Sequence, residues 1–389
     1  MLDILAWCLF AAGAFGCGYL WYACHALERF LVRPPPLAPH RVPVTVLKPL
    51  SGEDPALHEN LRSFCRQDYP VFQVVFGVAA ASDPAASAAK AVIAEIPSLD
   101  ATLVVESARH GANLKIANLQ NMLPSARHDL LVIADSDMRV EPDYLATVTA
   151  PFNQPRDSRR PVGLVTCLYR GLSSGGLWSD LACMHINHGF LPQAVVAASL
   201  GLGAGCFGAT IVITRRTLEA VGLGALANKL ADDHALGRAV RRIGFSVELS
   251  SYLVDDIVAE PSLAALYRHE LRWARTIRLV ARLGFVGSIV TYPVPLVLIG
   301  AVLGGAPRAV GLTMLLLALL VRAATARRID RALGLDHPPF WLLLVRDLLS
   351  FGVFIASFFG RKIAWRDHKF RVGPDGELTE IEASSAPSL

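Results

Sequence analysis

Residues 4–24 form an apolar run of 21 residues without a single charge. As a helix rising about 1.5 Å per residue, such a run spans roughly 30 Å, the thickness of a bilayer core. It is long for a signal-peptide core, no basic stretch precedes it, and no small-x-small cleavage site follows it. It therefore reads as a retained membrane anchor. Arg29, Arg33 and Arg41 follow the run while only Asp3 precedes it, so the positive-inside rule places the next domain in the cytoplasm. A second apolar block starts after Arg282. Residues 283–303 read as one span interrupted by Pro293 and Pro295, and residues 309–321 as another, extended past Arg322 by snorkelling. The last run, 340–359, carries Arg346 and Asp347 and has basic residues on both flanks. Each charge costs about 2.5–3.5 kcal/mol at mid-bilayer, so a re-entrant or interfacial segment with Arg346 and Asp347 paired and facing protein is expected.

Composition agrees with this division. The chain is 53% hydrophobic and only 18% charged, against about 25% charged in ordinary soluble domains, and the excess lies before Cys24 and after Arg282. A net charge of +4 over 389 residues is too small for a nucleic-acid binder. The seven cysteines form no CxxC pair, which argues against a disulfide framework or a zinc site and for a reducing compartment.

Between the apolar blocks, residues 41–259 have the pattern of an α/β domain. Runs at 44–48, 72–79, 102–106 and 130–134 read as strands, with helices at 55–66 and 84–96 between them. Such alternation predicts a parallel sheet covered by helices on both faces, whose ligands bind beyond the carboxyl ends of the strands. Pro34-Pro35-Pro36 reads as a stiff linker, and residues 383–389 as a disordered tail.

The acidic residues after those strands are the candidates for chemistry. Asp135-Ser136-Asp137 follows the fourth run; two carboxylates there suit a ribose and a hard divalent cation bridging a nucleotide diphosphate, although an Asp-rich turn is the plainer reading. Asp83 before Pro84 fits a helix N-cap, and Asp232-Asp233 fits the acidic first turn of a helix. Their combination with Asp135 and Asp137 is what suggests a site. His269-Glu270-Leu271-Arg272-Trp273 is either the basic flank of a span or a place where Arg272 holds a diphosphate and Trp273 covers a sugar. Gly203-Ala204-Gly205-Cys206-Phe207-Gly208 matches GxGxxG but precedes a strand-like run, which rejects dinucleotide binding and leaves a glycine-rich loop near an acceptor pocket. His185 and His188 read as helix-face residues, not metal ligands.

The ordered set of motifs resembles the ceramide glucosyltransferases, glycosyltransferase family 21. It comprises Leu47-Lys48-Pro49-Leu50-Ser51-Gly52, Gln67-Asp68-Tyr69-Pro70, Asp83-Pro84-Ala85, Gly111-Ala112-Asn113-Leu114-Lys115 with Asn118, Asp135-Ser136-Asp137, Asp232-Asp233 and Arg272-Trp273. Within the family the chain is most similar to the bacterial branch associated with hopanoid biosynthesis, through residues 64–70, Arg109-His110-Gly111-Ala112-Asn113, Ile186-Asn187-His188 and residues 269–278. The resemblance implies a nucleotide-sugar-binding, GT-A-like α/β fold with transmembrane helices at both ends. The implied division is an anchor and flank (1–32), a glycosyltransferase domain carrying the RW motif (41–278), a C-terminal membrane region (279–372) and a tail (373–389). It implies inverting transfer of a hexose from a UDP-sugar to a lipid hydroxyl with Mg2+ or Mn2+: N-acetylglucosamine to a hopanoid polyol, or glucose to ceramide. Under it Asp83, Lys115, Asn118 and Asp135 lie at the nucleotide sugar, with Arg272 and Trp273 beside them. Asp135 and Asp137 hold the metal, and the Asp232-Asp233 pair is catalytic with Asp233 as base. His269 departs from the family's (Q/R)xxRW pattern. The implied setting is a bacterial inner membrane with the catalytic domain cytoplasmic. Rival readings are a polyprenyl-phosphate sugar transferase, a processive polysaccharide synthase and a membrane-anchored binding scaffold.

Overall fold

The computed structural model describes residues 2–34, 41–54, 56–153, 160–202, 205–360, 362–365, 368–373 and 376–381. Pro35 and Pro36 of the linker, Gly203 and Ala204 of the glycine-rich loop, and the 383–389 tail lie outside them. The chain divides into two compact units: Met1–Arg33, Gly176–Leu200 and Glu260–Arg361 form one, and Pro34–Gly175, Gly201–Ala259 and Lys362–Leu389 the other.

The second unit is built on an eight-stranded sheet of β1 (Val44–Pro49), β2 (Phe72–Val78), β3 (Asp100–Val105), β4 (Leu130–Ala134), β5 (Met138–Arg139), β6 (Val162–Ser173), β7 (Thr210–Thr214) and β8 (Ser246–Val258). Their order is β3-β2-β1-β4-β7-β6-β8-β5. Every residue of β1 and β4 is buried, as a strand covered on both faces requires. Alternate side chains feed two cores: Val44, Val46, Val74 and Phe76 pack with helices Leu57–Cys65 and Pro84–Glu95 on one face, and Leu47, Val75, Leu131 and Ile133 with Leu114–Met122 and Asp232–Arg242 on the other. The expected α/β, GT-A-like class stands, and the sheet is mixed. β3, β2, β1 and β4 run parallel, whereas β7 is antiparallel to β4 and β6, and β5 to β8. Strand direction leaves no mark in an apolar run, which is why only the parallel half was foreseeable. Beyond the membrane block, Lys362–Trp365, His368–Val372 and Leu378–Ile381 form a three-stranded antiparallel sheet. The helical block thus stops at Ser357, short of the boundary expected at 372, and part of the expected tail is strand.

The first unit is helical. Leu2–Leu31, Arg308–Leu333 and Phe340–Ser357 are long and apolar enough to cross a membrane. Arg282–Thr291 and Pro293–Val302 together pass the same test but are bent by 66°. Pro293, at the first position of its helix, lacks the N–H that would continue the preceding one. Close packing uses small residues: a Cβ on Gly16 would overlap the Val290 carbonyl. Arg308–Leu333 outruns the expected 309–321 and stops at Gly334, whose φ of 68° forms a left-handed cap.

Both charges of the last helix are paired and face protein, as expected, but their partners are on other helices. Arg346 and Asp347 do not pair with each other, because consecutive helical residues point roughly 100° apart. Arg346 instead donates to both oxygens of Glu270 (2.7 and 2.6 Å), to the Leu181 carbonyl (3.0 Å) and to Ser350 Oγ (2.9 Å). Asp347 accepts from Arg322 Nε at 2.9 and 3.0 Å. His188, on a helix face as expected, is buried with Nε2 2.6 Å from Asp330 Oδ1.

Candidate active site

The site is built at the carboxyl end of β4, where the chain turns through Asp135-Ser136-Asp137 into β5. Lys48, on the neighbouring strand β1, is fully buried beneath this turn and donates to the Asp135 carbonyl. Its ammonium also lies 3.8 Å from the centre of the Phe64 ring. Burial pulls the Lys48 pKa down to about 7, against the pull of Asp137 and Asp135.

Lys115 approaches from the opposite side, in the first turn of Leu114–Met122, with Nζ 2.5 Å from Asp135 Oδ1. Burial works against its charge, but Asp135, Asp232 and Asp233 outweigh burial and hold its pKa above the ordinary lysine value. Asn113 caps this helix, its Oδ1 accepting from Ile116 N at 3.1 Å. Its amide nitrogen donates to the Lys229 carbonyl (2.9 Å) and to Asp232 Oδ1 (3.3 Å). One side chain therefore joins the lysine-bearing helix to the acid pair.

Asp232 and Asp233 open the helix Asp232–Arg242. Asp233 is fixed at both oxygens: Oδ2 accepts from Gly208 N (2.9 Å) and Oδ1 from His234 N (2.6 Å). A Cβ built on Gly208 would stand 3.3 Å from Asp233 Oδ2 and 3.4 Å from both Asp135 Oδ2 and Lys115 Nζ. Two carboxylates and an ammonium from three distant parts of the sequence thus close around the bare Cα of Gly208. Gly208→Val would force those three groups apart and is expected to reduce transfer by about 10²-fold, with some loss of melting temperature from the crowding; equal activity of the variant and the wild type would show that their spacing does not matter.

Burial and mutual repulsion shape the acids. Burial, then Asp135, pushes Asp137 up to about 6. Burial, with Asp233 and Asp135 working against the pull of Lys115, pushes Asp232 up to about 6. Burial likewise raises Asp233. Tyr169, raised by burial and by Asp256, Asp137, Asp233 and Asp135, stands among the same carboxylates.

Two predicted site residues have structural partners. Asp83 Oδ1 accepts from Ala85 N and Gly52 N, both at 2.9 Å, and so caps Pro84–Glu95 while tying down the loop after β1. Asn118 Nδ2 donates to Gly77 O (2.8 Å) and Leu50 O (3.3 Å), joining the ends of β2 and β1. Arg272 and Trp273 lie on Leu263–Val280 in the helical unit. There the Trp273 ring meets His269 edge-on at 4.4 Å, and His269 Nδ1 is 2.7 Å from Glu260 Oε1. Lys48 and Asn113 were not singled out as site residues from sequence, and Gly208 only as part of a glycine-rich loop near an acceptor pocket, although a lone lysine inside an apolar strand is a usable signal.

A divalent cation is compatible with this donor set. No group of three or more His, Cys, Asp or Glu side chains able to hold a metal occurs among the described residues. A hard cation bound through one or two carboxylates and the oxygens of a diphosphate needs no such cage. Asp137 Oδ1 is buried without a hydrogen-bond partner, and Asp135 Oδ2 lies beside Gly208.

The family model described as Glycosyl transferase family 21 matches residues 8–378. A ceramide glucosyltransferase of Komagataella phaffii is 30% identical over 129 residues, 32% of this chain and 25% of that protein. Ceramide glucosyltransferase 3 of Caenorhabditis elegans is 23% identical over 249 residues, 60% of this chain and 50% of that protein. The chain thus spans between a quarter and a half of these curated relatives. Among solved structures, the mannosyltransferase PcManGT from Pyrobaculum calidifontis, in complex with GDP-Man and Mn2+, matches with a TM-score of 0.56 and 21% identity, covering 92% of this chain and 99% of that one. That likeness concerns the fold.

Proposed function

The chain belongs to glycosyl transferase family 21, and on that premise we propose that it transfers a hexose from a UDP-sugar to the hydroxyl of a membrane lipid with inversion at the anomeric carbon. The observation that carries this reading is the convergence of Asp135, Asp233 and Lys115 on Gly208. A fixed carboxylate able to accept a proton stands there beside groups suited to a nucleotide diphosphate. The helices able to cross a membrane and the names of the curated relatives support a lipid acceptor. The basic residues flanking those helices support a cytoplasmic site, and a bacterial inner membrane follows only from the resemblance to the hopanoid-associated branch.

In the transfer, the lipid oxygen forms its bond to the anomeric carbon as the bond to the diphosphate breaks, and the electron pair leaves with UDP. Asp233 takes the hydroxyl proton, a step worth about 10² to 10⁴ in rate, and its two backbone bonds fix the carboxylate for that purpose. Lys115 holds Asp135 in place, and Asp135 and Asp137 are the residues that would hold Mg2+ or Mn2+. A bound divalent cation neutralises charge developing on the diphosphate. The roles given to Asp83, Asn118, Arg272 and Trp273 rest on the resemblance alone.

The finer reading is N-acetylglucosamine to a hopanoid polyol, supported by the motifs shared with the hopanoid-associated branch. Glucose to ceramide is the second reading, favoured by the relatives' names. Membranes containing the protein, incubated with either UDP-sugar and either lipid, distinguish them by product mass. A glycosylated hopanoid supports the first, glucosylceramide moves the assignment to the second, and no glycolipid in any combination rejects the function. The raised acid pair also sets the pH response: burial pushes Asp232 up to about 6 and raises Asp233 as well, so both gain their protons at a higher pH than an ordinary aspartate and kcat/KM should fall correspondingly early on the acid side. A profile flat down to about pH 5 would contradict the assignment.

A further inference from the structure

We propose that residues 376–378 form a brace that positions the Asp232-Asp233 pair for transfer, an inference that rests on the function just proposed. The segment just before the acid pair, 227–230, is loop, and a loop is an imprecise mount for a reacting carboxylate. Here it is held from both sides by hydrogen bonds to the backbone and to Asn113 and Asn228. On one side, Asn113 N donates to Ala227 O (2.8 Å), Ala112 N to Asn228 Oδ1 (2.9 Å) and Asn113 Nδ2 to Lys229 O (2.9 Å). Gly111 permits this approach: a Cβ there would stand 2.5 Å from the Ala227 carbonyl. On the other side, Leu378 N donates to Asn228 O (2.8 Å) and Leu230 N to Gly376 O (3.0 Å), around an antiparallel bridge between Lys229 and Glu377. Lys229 Nζ lies 3.1 Å from Glu377 Oε1, and Arg109, beside the other loop, reaches Glu380 at 3.9 Å. Those ion pairs are exposed and worth little; the backbone bonds are the brace. In effect the C-terminal strand accepts 228–230 as an added edge segment of its own sheet.

The consequence runs directly to the site. Asn113, within the braced layer, also bonds Asp232 and caps the helix bearing Lys115. A single residue, Ala231, separates Leu230 from Asp232. Releasing 376–378 frees one side of the layer that fixes the acid pair relative to Lys115 and Asp135. The brace touches no reacting atom; it is a positioning element, so its loss should appear in turnover more than in donor affinity.

A proline scan at position 378 isolates the bond. Leu378 N points to Asn228, so the ladder with Val372 does not use it, and Leu378→Pro deletes the brace bond while sparing that ladder. Leu378→Val keeps the N–H and serves as the conservative control. Leu378→Pro should lower kcat roughly 10-fold to 10²-fold with the KM for the UDP-sugar changed by less than about twofold, and should speed amide exchange at Leu230; Leu378→Val should behave as wild type. Leu378→Pro with wild-type kcat, or equal losses in both variants, overturns the proposal. If the proline variant does not accumulate, wild-type exchange decides: a Leu230 amide protected like the sheet supports the brace, and one as free as an exposed loop overturns it. A wild-type protein that makes no glycolipid rejects the proposed function instead, and the exchange measurement still judges the brace.

Discussion

Asp233→Asn should lower turnover by about 10² to 10⁴ while UDP-sugar binding persists. The substitution keeps the shape of the side chain and removes its ability to take a proton. Asp233 accepts from two backbone N–H groups, at Gly208 and His234. An amide offers one acceptor and one donor there, so one of those N–H groups loses its partner at about 1–3 kcal/mol. That cost is structural and would fall on stability, which a melting curve measures separately. Calorimetry of the variant with UDP-sugar and Mg2+ then separates binding from chemistry. Asp232→Asn provides the comparison: Asp232 meets Asn113 and a smaller loss is expected. If Asp233→Asn keeps near-normal turnover with intact donor binding, the base lies elsewhere.

The site becomes visible in the sequence only where a single residue carries its own signal. Val44–Pro49 and Leu130–Ala134 are short apolar runs with turn residues after them, so the strand ends, and therefore the place to search, follow from local pattern. Asp83 sits at a helix start where a cap is expected, and it is a cap; Asn113 caps Leu114–Met122 without having been read as one. What the sequence does not carry is convergence. Gly208 lies more than seventy residues from Asp135 and matters because Asp135, Asp233 and Lys115 all meet at it. No local rule gives that. Lys48 is similar: inside an apolar strand it looks like a misplaced charge, and only the turn above it shows what the ammonium holds. The antiparallel direction of β7 and the return of residues 376–378 to the loop before Asp232 depend on contacts across long stretches of chain. Periodicity is blind to both.

The partners of the intramembrane charges belong to the same class, and they set the second large expected effect. Arg346→Met should cost about 3–5 kcal/mol of stability, enough to remove most folded protein from the membrane. Arg346 and Glu270 are 1% and 3% exposed, and two short bonds join them. Removing the guanidinium leaves a carboxylate buried among helices without its counter-charge, and it also frees the Leu181 carbonyl and Ser350. The cost therefore comes from what is left behind, more than from the attraction lost. Two further variants test that reasoning. Arg346→Lys retains the charge but cannot present a planar fork to two oxygens, so it should fall between wild type and Arg346→Met. The double variant Arg346→Met with Glu270→Leu removes both charges and should recover most of the melting temperature, since well-packed apolar pairs replace buried ion pairs at little cost. Glu270 stands two residues before Arg272 on Leu263–Val280, so the pair also fixes the rotation of the helix that carries the RW motif. The double variant should accordingly fold well and still transfer sugar more slowly than wild type. Full activity would reduce the pair to a structural contact, and failure to fold would mean that the cavity, not the charge, dominates the loss.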